Sequence, residues 1–475
     1  ITENSAEQVY SILGRIVSEI GRKHPFFGIR LKKADYLWYK RNQIMSKQVL
    51  KALPELLKEG ILQPETAAKI REYYQEKTKT SDNRLFTIFG VFGALLIGLG
   101  IILIVAHNWD NFSRTLKTCF AFLPLLIGQG FAAITLLKKP ESAAWRESSA
   151  TFLFFAIATA ISLVSQIYHI PGNISSFILT WMLLSLPLVY LLRSSMISLF
   201  YIIGLTYYGC EIGYWSSKPK VPIYYWLLLL PVLPYYLDLI RKDSKSNFMS
   251  FHHWIIPLSV IICLGTVGVK NEEWLFPAYF CLLGVLYLIG NLTYFSDQHR
   301  INNGYLIIGS LGMVGLLLFS SFDWLWKELS EESANLFEPG FWSSPEFITL
   351  LVLLFSGLFL LYWLRRKDNW SDFNPMEVLF IPFTLFFLLG LFYPIWTTIL
   401  INLITLLIGI YYIRRGGQLD HLIILNYGLL IITALIICRF FDTNLSFITR
   451  GLLFVGVGAG FFYANYNMLK RRGEN

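Results

Sequence analysis

Four polar side chains recur at helical spacing in one apolar stretch: Ser162, Ser165, Gln166 and His169 stand at i, i+3, i+4 and i+7. Residues spaced in this way share one face of a helix, and their neighbours Leu163, Val164 and Ile167 are apolar. Lipid offers such a stripe no hydrogen bond, so it is expected to face protein or a water-filled cavity. Ala158 and Thr151 extend the same stripe. Further upstream Gly93, Gly100 and His107 repeat every seven residues, leading small side chains up to an imidazole. Asp110 follows, with Arg114 four positions on, the spacing of an ion pair if the helix continues. If both stripes end on one side of a membrane, His107, Asp110, Gln166, Tyr168 and His169 converge in one pocket.

Three kinds of chemistry fit that constellation. A metal site would draw on His107, His169 and Asp110, although their spacing matches no recognised ligand motif. A proton relay, or a site for an anion or lipid headgroup, follows from the rule that ionisable groups inside a membrane mark function. The third reading is structural. Gln166 and the serines join helices by hydrogen bonds, while His107, Trp109 and Tyr168 anchor the interface. The residues leave all three open.

A second constellation lies near the end of the chain. Arg439 and Asp442 are three residues apart and Arg450 opens the last apolar run. Taking an Arg and an Asp out of water is costly unless they pair, which makes a local ion pair the plain expectation. Binding of a phosphate or carboxylate by either arginine is the functional alternative. Glu211 is also singled out, as a carboxyl four residues from a span's outer edge whose titration is expected to shift towards neutrality. Gln129, Asn291, Asn402 and Asn426 read as interhelical hydrogen-bonding groups, and Asp238 and Glu377 as carboxylates near an inner surface within reach of water.

The elements that must position these groups are long apolar runs. The 475 residues are 55% hydrophobic, 16% aromatic and only 15% charged, with a mean hydropathy of +0.52. That composition excludes an ordinary soluble domain. Runs long enough to cross a bilayer as helices fall at 85–107, 116–137, 149–169, 176–192, 195–214, 222–240, 253–270, 274–295, 303–321, 346–364, 377–394, 396–413, 421–438 and 447–468. They predict an all-α, polytopic integral membrane protein of about fourteen transmembrane helices.

Residues 1–84 carry sixteen Lys/Arg against ten Asp/Glu and read as a small helical cytoplasmic domain preceding the transmembrane domain, 85–475. Its basic aromatic stretch, with Tyr36, Trp38 and Tyr39, suits a membrane surface or a protein partner bound through residues 1–80. With that domain inside, the inner loops hold sixteen Lys/Arg and the outer loops eight. Positive loops stay in the cytoplasm, so both termini are expected there, and the basic balance points to topology and anionic lipid rather than nucleic acid. The start has no signal-peptide pattern. The five cysteines all sit inside apolar runs, as small buried hydrophobes rather than a disulfide or metal framework.

The segments LLKEGIL and IREYY, then GALLIGLGIILIVAHNWD, then SQIYHIPGN and LTWMLLSLPLVYLLRS together resemble the bacterial predicted membrane proteins catalogued as domain of unknown function 2157. The similarity spans roughly residues 50–195. The ending RFFD and TRGLLFVGVGAGFF is similar to the C-terminal helices of related multi-pass families. The resemblance implies a protein of the bacterial cytoplasmic membrane and supplies no catalytic residue and no cofactor.

No GxxxxGK[ST], HExxH, GxSxG or GxGxxG stands in a suitable context, which argues against ATP-driven transport by this chain alone and against a familiar hydrolase. The leading expectation is a carrier or binding protein for a small solute or lipid. Its pocket would be built from His107, Asp110, Ser162, Gln166 and His169, opening to the outer face and in contact with membrane lipids. The alternatives are an integral-membrane enzyme on a lipid-linked or envelope substrate, with His107 or His169 as general base, and a scaffold or sensor subunit acting through residues 1–80.

Overall fold

The structure is a computed structural model that describes residues 109–242, 244, 246–268, 271–296, 299–332, 341–366 and 374–440, with residues 57, 65–67, 69, 446, 448, 451, 452, 455, 456, 458–460 and 462. The chain divides into two compact units, Ile1–Ser113 and Arg114–Asn475. Of the first unit, residues 65–67 are helical and Trp109–Asn111 form a 3-10 turn. His107, Asp442, Arg450, the run 85–107 and most of 447–468 lie outside the described residues.

The described residues of the second unit are helical, without a strand. The helices are α1 (Arg114–Lys138), α2 (Ala143–Tyr168), α3 (Ile174–Leu191), α4 (Ser195–Gly213), α5 (Ile223–Leu229), α6 (Val232–Lys242), α7 (Asn247–Leu264), α8 (Leu275–Gly290), α9 (Thr293–Ser296), α10 (Gly304–Phe319), α11 (Asp323–Glu332), α12 (Pro345–Arg365), α13 (Phe380–Gly390), α14 (Pro394–Gln418) and α15 (Leu422–Phe440). Short polar residues start them. Asn173 accepts the backbone N–H of Ser176 at 2.8 Å and Asn303 that of Leu306 at 3.0 Å. Ser194, Ser246 and Ser344 cap α4, α7 and α12 in the same way. Each cap satisfies a donor that the helix itself leaves orphaned. His169, Arg193 and Asp420 take positive φ angles of 51°, 47° and 50° just beyond α2, α3 and α14, the left-handed conformation that closes a helix.

Among the described residues ten helices are long and apolar enough to cross a membrane, or eleven if one bent pair counts as a single span. Leu126, Phe359, Tyr362 and Trp396 are all more than 60% exposed. In water such a surface would aggregate; in a bilayer it is the face that lipid covers. This is a multi-pass membrane protein. Two of the expected spans take other forms. The run 303–321 is a 16-residue helix, α10, followed after a 76° bend by α11. There Ser320 and Ser321 break the apolar run, and Asp323 pairs with Lys327 at 2.6 Å. The run 377–394 reduces to α13, 11 residues long, about 16 Å of helix against a hydrocarbon thickness of roughly 30 Å.

Packing falls into two clusters. In the first, Phe154, Met182, Tyr201 and Tyr225 join α2, α3, α4 and α5. In the second, α8 forms the axis: 78% of its apolar window is buried, against 11% for α12. Phe280 of α8 stacks on Phe383 of α13 with ring centroids 3.7 Å apart. Helix α7 serves both clusters, giving Cys263 to one and Met249 and Leu264 to the other. Lipid tails are as apolar as leucine, so helix association in a bilayer relies on close contact and on polar groups.

Glycines make the closest contacts. A Cβ at Gly428 would lie 2.6 Å from the Gly409 carbonyl oxygen and 2.6 Å from the Ile413 nitrogen, so α14 and α15 touch backbone to backbone. Gly428→Ala is expected to cost about 1–3 kcal/mol, read as a fall in the unfolding midpoint in detergent. Gly417→Ala, with nothing within 4 Å of its Cβ, should leave it unchanged.

Candidate functional site

The stripe on α2 survives folding in its upper half. Ser162, Ser165 and Gln166 line a cavity of about 1070 Å³ between α1, α2 and α3. Helix α1 adds Gln129, and α3 with the loop before it adds Asn173, Ser176 and Thr180. Apolar walls come from Phe122, Leu125, Ile161 and Phe177. The cavity sits at the end of the bundle opposite the loops that carry Lys138, Arg193, Arg241, Arg300, Arg365 and Arg414.

The polar lining divides into two groups. Ser165 is engaged, its hydroxyl donating to the Ile170 carbonyl at 3.0 Å. Asn173 holds the start of α3, accepting from the Ser175 hydroxyl at 2.9 Å. No side-chain hydrogen bond joins Gln129, Ser162 or Gln166 to another described residue. An amide or hydroxyl with spare hydrogen-bonding capacity inside an apolar wall is what orients a bound molecule. Gln129 thus lines a cavity, where the sequence suggests an interhelical tie.

The other expected members lie elsewhere. His169 closes α2 in the left-handed conformation; it is exposed and is not among the residues that line the cavity. Tyr168 turns to α1, its hydroxyl 3.1 Å from that of Thr118 and its ring 5.9 Å from the Arg114 guanidinium carbon. Asp110 belongs to the first unit, where it is exposed in the Trp109–Asn111 turn. Because α1 begins afresh at Arg114, the helix expected to set the Asp110–Arg114 spacing does not run through. The lower half of the stripe drifts away as well. Thr151 lines a separate hollow of about 600 Å³ with Glu147 and Thr159, since a seven-residue repeat slips about 20° per step around an α-helix.

At the C-terminal constellation, Arg439 donates from Nη2 to the Ser321 hydroxyl at 3.0 Å and lies 4.6 Å over the Phe322 ring. Asn402 donates to the Ser321 carbonyl at 2.9 Å. Both fasten the bend between α10 and α11. Glu211 is half-buried on α4, two residues before its end. Glu377, expected within reach of water, is buried and paired with Arg365.

Some groups gave no signal in the sequence. His252 and His253 are buried in α7. Nε2 of His252 lies 3.0 Å from the Ser198 hydroxyl, and Nδ1 of His253 donates to the Asn302 carbonyl at 2.9 Å. Glu147 of α2 accepts the backbone N–H groups of Ser195 at 2.9 Å and Met196 at 3.0 Å, together with the Ser194 hydroxyl. A carboxylate there complements the positive end of α4. Glu147→Gln is expected to cost about 1–2 kcal/mol, seen as a lower midpoint in the same detergent assay.

Residues 54–198 match the family described as Predicted membrane protein (DUF2157). Every residue that lines the large cavity falls inside that segment. No curated protein and no solved structure matches the chain.

Proposed function

We propose, for a chain carrying this family's segment, that it is a membrane-embedded binding protein or carrier for a small solute or lipid, held in the cavity between α1, α2 and α3. The observation that carries the reading is the cavity itself. Its roughly 1070 Å³ is the size of sites that enclose drug-sized ligands, and Gln129, Ser162 and Gln166 have hydrogen-bonding capacity to spare. With the basic loops in the cytoplasm, the cavity opens to the outer face of a bacterial cytoplasmic membrane, and both termini lie inside. In this reading residues 1–84 are a helical cytoplasmic domain. Counting the bent pair and α13 as crossings, together with the runs 85–107 and 447–468, gives about fourteen.

The test is native mass spectrometry of the detergent-purified protein with extraction of what it carries. Wild type is expected to retain one defined small molecule or lipid. Ser162→Ala/Gln166→Leu should retain about thirtyfold less, the loss of two hydrogen bonds worth roughly 1 kcal/mol each. Equal retention by both proteins would sink the proposal.

A further inference from the structure

A second cavity, of about 860 Å³, lies at the opposite, basic end, between α8, α10, α14 and α15. It is outside the segment matched by the family and shares no residue with the first cavity. We infer that it binds a phosphate ester of net negative charge, with His299 and Arg300 on the phosphate and the aromatic hydroxyls beneath on the group it carries.

The floor is a connected set of neutral donors and acceptors. Nδ2 of Asn374 donates to the Tyr287 hydroxyl at 2.7 Å, and the Tyr412 hydroxyl donates to Oδ1 of Asn374 at 3.0 Å. Beside them the hydroxyls of Ser310 and Tyr427 lie 2.6 Å apart. Tyr287 and Tyr412 are buried, whereas His299 and Arg300 are exposed, so the cationic and imidazole groups stand at the mouth. Among the described residues, the lining includes no carboxylate to neutralise them.

The mouth is fixed rather than loose. The linker bearing Arg300 is tied to α7 twice, by His253 Nδ1 on the Asn302 carbonyl and by Trp254 Nε1 on the Ile301 carbonyl at 3.0 Å. It is tied to α8 once, by Asn303 Nδ2 on the Gly290 carbonyl at 2.8 Å. These ties set the backbone from which the exposed Arg300 side chain reaches the mouth, and its planar guanidinium suits the fork of a phosphate. The side wall opens to the apolar exterior through Ile301, Leu311 and Ile423, which are 64%, 50% and 63% exposed. That opening gives an acyl tail a path into the bilayer. The same phosphate chemistry is also offered by a free ester.

The test uses the full chain in a neutral detergent, titrated with fluorescent phosphatidylglycerol, with phosphatidylcholine as the zwitterionic control and glycerol 3-phosphate as competitor. Phosphatidylglycerol is expected to bind at least tenfold more tightly than phosphatidylcholine, and His299→Gln/Arg300→Gln should remove that preference. Both side chains are exposed, so the double variant folds. If glycerol 3-phosphate fails to compete and Ile423→Trp blocks binding, the ligand is a lipid headgroup. If it competes at comparable concentration and Ile423→Trp binds normally, the ligand is a free phosphate ester. Equal binding of the two lipids, or an undiminished preference in the double variant, overturns the inference.

Discussion

Replacing Glu377 by alanine is expected to destabilise the protein by about 3–5 kcal/mol, the typical cost of stranding one partner of a buried ion pair. Arg365 reaches Oε2 of Glu377 through both Nε, at 2.9 Å, and Nη2. Only 8% and 11% of the two side chains are exposed. Removing the carboxylate takes this double contact from a guanidinium that cannot lose its proton. The paired replacement Arg365→Met/Glu377→Met keeps volume and removes both charges, so it should recover most of the loss. Unfolding midpoints of the single and double variants in one detergent check this. A single variant as stable as wild type would show that the pair is solvated.

Ser162→Trp should abolish ligand binding at the large cavity, with a fall in affinity of a hundredfold or more. Ser162 is exposed on the cavity wall and makes no side-chain hydrogen bond to another described residue. An indole there occupies space meant for ligand without disturbing a packed core, so stability should stay within about 0.5 kcal/mol of wild type. That combination separates a ligand site from a structural polar stripe. If Ser162 and Gln166 only tied helices together, the bulky variant would lower the midpoint instead.

Much of the helix pattern was legible because length and apolarity are simple signals. The runs near 149–169, 195–214, 346–364 and 396–413 appear as α2, α4, α12 and α14. The run 377–394 yields a helix of only 11 residues, Phe380–Gly390, apolar but for Thr384, and composition does not reveal how short it is or that neighbouring helices cover it. That Ser162, Ser165 and Gln166 line a cavity was legible because lipid cannot satisfy a polar face on an otherwise apolar helix. Asn173, Ser176 and Thr180 were not, since their link to that face depends on how α3 packs. Glu377 looked accessible because Arg365 is a dozen residues away and only the turn between α12 and α13 brings them together. His252 and His253 stand side by side in an apolar run, where spacing carries no message.

The central claim is that the cavity between α1, α2 and α3 holds a specific molecule rather than bulk lipid. Photo-crosslinking tests it most directly, with p-benzoylphenylalanine placed at Gln166 or, as the lipid-facing control, at Leu126, which is 63% exposed and lines no part of the cavity. After irradiation in native membranes, the label at position 166 is expected to capture one defined small molecule or lipid, and the label at position 126 the ordinary lipid mixture. The same mixture at both positions would contradict the account.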